Sequence, residues 1–93
     1  MKVVLVTGCA GFIGFHVTKK LLENNFKVIG IDNLNSYYSI NLKKKRLNIL
    51  KKFKKFNFFK IDLANFSRLY NIIHTHKIDY VLHFAAQAGV RHS

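Results

Sequence analysis

Four short runs of β-branched, leucine and aromatic residues alternate with three stretches whose apolar positions recur at helical spacing. Lys2 to Val6 is a valine-rich run of the kind that forms a strand buried on both faces. From Phe12 to Asn24 the apolar positions Phe12, Ile13, Val17, Leu21 and Leu22 predict a helix, with Lys19, Lys20 and Glu23 opposite and Asn24-Asn25 as its stop. Lys27 to Ile31 predicts a second strand that closes on Asp32. Asn33 to Ser39 reads as a loop, and a basic helix is expected from about Ile40 to Lys54. Phe56 to Ile61 predicts a third strand ending on Asp62. Asn65 to about His76 predicts a third helix, with Phe66, Leu69, Ile72 and Ile73 as its apolar positions, and Tyr80 to Ala85 a fourth strand.

The order is β-α-β-α-β-α-β, with each helix long enough to cross between parallel strands. Such crossovers are right-handed, so the fold class is α/β: a Rossmann-like, doubly wound parallel sheet truncated after its fourth strand. A fourth strand left at the edge of such a sheet is an aggregation liability.

At 93 residues the chain allows one domain, and 49% hydrophobic with 22% charged residues excludes intrinsic disorder. The single cysteine, Cys9, excludes an internal disulfide and any zinc site needing two thiolates. No apolar run is long enough to span a bilayer, and Val3-Val4-Leu5-Val6 is too short for a signal peptide, so a cytoplasmic chain without membrane attachment is expected. His74 and His76 are two apart and do not share a helix face, so no metal site is expected.

The net charge of +12 invites a different reading, a small nucleic-acid-binding protein using the run from Lys43 to Lys55. On a helical wheel Leu42, Ile49, Leu50 and Phe53 gather on one side, with Lys44, Lys45, Lys51, Lys52 and Lys55 opposite. A helix packed on a sheet with a solvated outer face gives the same pattern, and the flanking strands favour it. Nucleic acid is therefore the alternative, not the expected partner. Arg46 falls within the apolar arc, where a cation either snorkels or reaches toward a ligand.

The sharpest local signal is Thr7-Gly8-Cys9-Ala10-Gly11-Phe12-Ile13-Gly14, between a predicted strand and a predicted helix. A dinucleotide pyrophosphate needs a tight turn, exposed main-chain N–H groups and the positive end of a helix dipole. Gly8, Gly11 and Gly14 meet that need with GxxGxxG spacing, a variant of the usual GxGxxG. About 20 residues further on, Asp32 ends the second strand, where a carboxylate accepts the hydroxyls of the adenosine ribose and repels a 2′-phosphate. NAD is therefore expected in preference to NADP, although Lys43 to Lys45 stand close enough in sequence to weaken that preference. Cys9 reads as a small filler, because no base is placed beside it.

These motifs, with Asp32-Asn33-Leu34-Asn35-Ser36, Asp62-Leu63 and His83-Phe84-Ala85-Ala86, resemble the extended short-chain dehydrogenase/reductases, the NAD-dependent nucleotide-sugar epimerases and dehydratases. Ile31 to Tyr38 with Asn41-Leu42-Lys43 and Arg46-Leu47, and His83 to Arg91, are most similar to the UDP-glucuronate 4-epimerases among them. The resemblance covers the whole chain and implies roles by position. Phe12 and Ile13 would meet the pyrophosphate, and Asp32, Asn33, Asn35 and Ser36 the adenosine ribose. Asp62 and Leu63 would flank the adenine; Phe84, Ala85, Ala86 and Gln87 would run under the nicotinamide half; Arg91 would approach the substrate.

The implied chemistry is a transient oxidation at C4 of a UDP-sugar by NAD, followed by hydride return to the other face. The resemblance assigns the proton transfer to a Tyr-x-x-x-Lys pair and implies homodimeric relatives. None of Tyr37, Tyr38, Tyr70 and Tyr80 has a lysine four residues on. No catalytic residue is therefore expected here: residues 1–93 read as the N-terminal part of an NAD-binding domain, inactive by itself, with catalytic and sugar-binding parts absent.

Overall fold

Parallel pairing organises the chain. The computed structural model describes residues 1–34 and 40–84, and within them seven elements follow one another. They are β1 (Val3–Thr7), α1 (Phe12–Glu23), β2 (Lys27–Asp32), α2 (Ile40–Leu50), β3 (Phe56–Lys60), α3 (Phe66–Thr75) and β4 (Tyr80–His83). The strands form one parallel sheet in the order β3-β2-β1-β4, so the chain steps outward from β1 to β3 and then returns to the opposite side of β1. Val4 pairs with Val28 on one side and with Tyr80 on the other, and Val28 pairs in turn with Phe56.

Alternation along the central strands divides the core in two. Val4, Val6 and Val28 face one layer with Phe15 and Leu22 of α1, Leu47 and Leu50 of α2, and Phe56. Leu5, Ile29 and Ile31 face the other with Ile61 and Ile72 of α3. Two crossovers in one direction and one in the other put α1 and α2 on one face and α3 on the opposite face, as right-handed connections require. The doubly wound α/β expectation holds.

The helix ends are chemically marked. Asn24 Nδ2 donates to the Lys20 carbonyl at 2.7 Å, and Asn25 takes a left-handed conformation (φ 68°), so the Asn-Asn pair stops α1. Asn65 caps α3 by accepting the Arg68 N–H at 3.3 Å. The Asp79 carboxylate accepts the Val3 N–H at 2.8 Å and so pins the start of edge strand β4 to β1. Tyr80 and Val81 on that edge are each 53% exposed.

Helix phase is where the sequence expectation fails. In α1 the buried positions are Gly14, Phe15, Thr18 and Leu22, whereas Phe12 and Ile13 stand 67% and 59% exposed. In α2 the inward face is Lys43, Leu47 and Leu50; Leu42 and Ile49, expected inside, are exposed. The helix also stops at Leu50 instead of Lys54. In α3, Ile72 is buried, Leu69 and Ile73 are partly buried against the core, and Phe66 is exposed. The fourth strand ends at His83, and Ala85, its expected end, lies outside the described residues.

Candidate functional site

The carboxyl ends of all four strands lie along one edge of the sheet, and the strand order reverses between β1 and β4. In open α/β sheets the crevice at that reversal takes the ligand. Thr7 ends β1 there and pairs with His83, which ends β4 and is followed by Phe84. Thr7 Oγ1 lies 2.6 Å from His83 Nδ1, and the Phe84 N–H donates to the Thr7 carbonyl at 3.0 Å and to its hydroxyl oxygen at 3.2 Å.

Beyond Thr7 the chain turns sharply. Gly8 adopts φ 74°, a left-handed conformation that side chains disfavour, and its N–H donates to the Ile31 carbonyl at 2.7 Å. The turn closes when the Gly11 N–H donates to the Gly8 carbonyl at 3.0 Å. Gly11 is the cap of α1 with no side-chain acceptor, so the first amides of that helix point out of the turn without help from a capping residue. A Cβ at Gly14 would sit 2.1 Å from the Gly8 carbonyl oxygen, so only glycine lets the first helical turn close on the loop. The three glycines therefore have different tasks: conformation at Gly8, clearance at the mouth at Gly11, close packing at Gly14. Phe12 and Ile13 stand exposed at the rim of this cradle.

Asp32 holds the other side. It is 5% exposed. Its Oδ2 accepts the Ala10 N–H at 3.1 Å, while Oδ1 accepts the Leu34 N–H at 2.8 Å and lies 3.3 Å from Lys43 Nζ. The carboxylate thus ties the glycine turn to the start of the β2–α2 connection. The second of these bonds is an Asx turn, and Leu34 takes φ 54° to complete it. Arg46, one turn beyond Lys43 on α2, donates from Nη1 to the Ala10 carbonyl at 3.0 Å, with its guanidinium carbon 5.9 Å from the centre of the Phe12 ring. It therefore links α2 to the glycine turn.

Cys9 is fully buried, and burial together with the nearby Asp32 charge pushes its thiol far above the ordinary range. The residue is core filler. Gly30 makes room for it: a Cβ there would meet the Phe56 ring at 2.7 Å and Cys9 Sγ at 2.8 Å. Asp62, just past β3, is exposed and accepts the Ala64 N–H at 2.9 Å; Leu63 packs partly buried against the second core layer. Asn33 is exposed beside Asp32. Asn35, Ser36, Ala85, Ala86, Gln87 and Arg91 lie outside the described residues.

Gly8, Gly11, Phe12, Ile13, Gly14, Asp32 and Asn33 are thus brought to one end of the sheet, with Asp62, Leu63 and Phe84 at the ends of the flanking strands. Lys43 and Arg46 were missed as a pair. Their i, i+3 spacing was the available signal, since it places two cations on one helix face beside a strand-ending aspartate. Lys44, Lys45, Lys51, Lys52 and Lys54 lie on the exposed side of that segment.

The family model described as GDP-mannose 4,6 dehydratase matches residues 5–93. A UDP-glucuronate 4-epimerase of Thermodesulfobacterium geofontis is 52% identical over 89 residues, covering 96% of this chain and 28% of that protein. A crystal structure of UDP-glucuronic acid 4-epimerase from Bacillus cereus, in complex with UDP-glucuronic acid and NAD, superimposes with a TM-score of 0.83 at 38% identity, over 96% of this chain and 28% of that one. A dTDP-glucose 4,6-dehydratase from Bacillus anthracis in complex with NAD gives a TM-score of 0.81 at 26% identity, over 95% and 28%. The chain therefore spans somewhat more than a quarter of each of these three relatives.

Proposed function

This chain belongs to the GDP-mannose 4,6-dehydratase family of NAD-dependent epimerases and dehydratases, and on that premise we propose that it is the NAD-binding N-terminal part of a nucleotide-sugar 4-epimerase acting on a UDP-glucuronate-type substrate. The observation that carries the reading is the joined pair of glycine turn and Asp32: a cradle of main-chain amides clamped by a buried carboxylate at the ribose position. The residues fit a dinucleotide. Gly11 leaves the mouth of α1 clear of a capping side chain, and Phe12 and Ile13 offer an apolar rim. When bound, NAD supplies reversible hydride acceptance at C4 of the sugar.

This chain's own residues bind and orient. The amides opening α1 face the pyrophosphate, Asp32 and Asn33 the adenosine ribose, and Asp62 and Leu63 the adenine. The resemblance assigns Phe84, Ala85, Ala86 and Gln87 to the nicotinamide half of the cofactor and Arg91 to the sugar. No Tyr-x-x-x-Lys occurs in these 93 residues, so they hold the cofactor and leave proton transfer at the sugar to residues outside them.

Calorimetric titration of NAD into the chain tests the reading. The expected result is saturable binding that weakens by about tenfold or more in Asp32→Ala, roughly 1.4 kcal/mol or more. Equal affinity in the two proteins would overturn it.

A further inference from the structure

Two aliphatic side chains stand on the outer side of α2. Sorted by polarity, Leu42 and Ile49 belong against the sheet, yet they are 46% and 41% exposed. They lie seven residues apart, about two helical turns, and so share one stripe of the surface. Lys45, three residues from Leu42 and four from Ile49, flanks both. Lys44, Lys51, Lys52 and Lys54 are exposed around them. From Lys43 to Lys55 the sequence holds seven lysines and one arginine, and no acid stands between Asp32 and Asp62. Lys43–Asp32 is the only ion pair among the described residues, so the outer lysines present their charge uncompensated. A solvated helix face accounts for exposed lysines but not for the exposed leucine and isoleucine between them.

We propose that this outer face of α2, with Leu42 and Ile49 at its centre and Lys44, Lys45, Lys51 and Lys52 around them, docks the chain on an anionic lipid surface. The proposal goes beyond the dinucleotide-binding reading and does not depend on it. At such a surface the ammonium groups meet lipid phosphates, the lysine stems lie along the acyl boundary, and the two aliphatic groups leave water. The eleven residues of α2 span only about 16 Å, and no helix among the described residues is long and apolar enough to cross a membrane, so the contact is peripheral. A nucleic acid fits the face less well. Its phosphates would satisfy the lysines, but Leu42 and Ile49 would stay against water and charge. The stripe itself holds no aromatic ring for base stacking, and Arg46 is bound to the Ala10 carbonyl.

The test is co-sedimentation of the full chain with vesicles of phosphatidylcholine alone and of phosphatidylcholine mixed equally with phosphatidylglycerol, at about 0.1 M salt. The mixed vesicles are expected to bind at least about tenfold more tightly than the neutral ones. Leu42→Ser/Ile49→Ser, which leaves the charge intact, is expected to weaken that binding by about tenfold. Replacing Lys44, Lys45, Lys51 and Lys52 by glutamine is expected to reduce it to the level of neutral vesicles. All six positions are exposed, and far-ultraviolet circular dichroism identical to the original chain separates lost docking from lost folding. Ile49→Trp gives a second readout, because the chain contains no tryptophan. Its emission is expected to shift to the blue on the mixed vesicles and to be quenched by brominated acyl chains. Equal binding to both vesicles, no binding to either, full affinity in Leu42→Ser/Ile49→Ser, or an emission that does not move would each overturn the proposal. Retention on duplex DNA without binding to the mixed vesicles would overturn it in favour of a nucleic-acid surface.

Discussion

The Lys43 ammonium and the Asp32 carboxylate meet 3.3 Å apart with side chains only 10% and 4% exposed. A pair this sheltered is screened little by solvent, and removing one partner strands the other in the interior. Lys43→Met should therefore lower folding stability by about 3 kcal/mol in urea denaturation. Lys44→Met, one residue along on the exposed side of α2, should change it by less than about 0.5 kcal/mol. Equal effects would mean that the pair is not formed in the folded chain.

The glycine turn makes a graded prediction. A methyl group at Gly14 would lie 2.1 Å from the Gly8 carbonyl oxygen and 2.8 Å from its carbon, both rigid backbone, whereas one at Gly11 would approach the same oxygen only to 3.3 Å. Gly14→Ala is expected to cost about 1–3 kcal/mol, the range for overpacking, and to weaken NAD binding. Gly11→Ala should cost clearly less. Paired thermal melts read the order, and a reversal would contradict the packing described for α1.

What the sequence disclosed and what it hid follow from the same physics. The strands were legible because Val4, Leu5 and Val28 belong to short apolar runs with no polar residue to place, and the turn because three glycines interrupt a strand-to-helix junction. The phase of α2 was not. Sorting its residues by polarity sends every lysine outward, yet Lys43 turns inward because a buried carboxylate awaits it, and that rotation carries Leu42 and Ile49 to the surface. Phe12 and Ile13 misled for a related reason: they look like core residues, but they stand exposed at the rim of the cradle, with Phe12 beside the Arg46 guanidinium. A contact between residues 11 positions apart across a sheet edge leaves no periodic trace.

Cys9 gives the chain a pH dependence with a definite sign. Burial raises its thiol pKa in the folded state above the unfolded value of about 8.5. Below that value both states hold the proton and stability is full; above it the unfolded chain releases the proton first and stability falls with rising pH. The expected slope is up to about 1.4 kcal/mol per pH unit beyond pH ~8.5, and Cys9→Ser should flatten it. The folded chain should also resist thiol alkylation at pH 8 until denaturant is added. Rapid alkylation of the native chain would contradict the burial.

The lysines on the outer side of α2 and the segment after it are expected to be dispensable for the dinucleotide. A chain carrying Lys44→Gln, Lys45→Gln, Lys52→Gln and Lys54→Gln should bind NAD within about twofold of the original at 150 mM salt, where surface charges are screened beyond roughly 8 Å. A loss of tenfold or more, measured by calorimetry, would show that the basic surface takes part in binding.

The most direct measurement follows main-chain amide resonances of the isotopically labelled chain while NAD is added. Largest shifts are predicted at Gly11, Phe12, Ile13 and Gly14, the amides that open α1, with Leu34 and Ala10 following through Asp32. ADP should reproduce them and nicotinamide mononucleotide should not, because the proposed reading puts the adenosine side of the pyrophosphate against the cradle. Shifts absent from the glycine turn, or gathered instead along Lys44 to Lys55, would contradict the account at its centre.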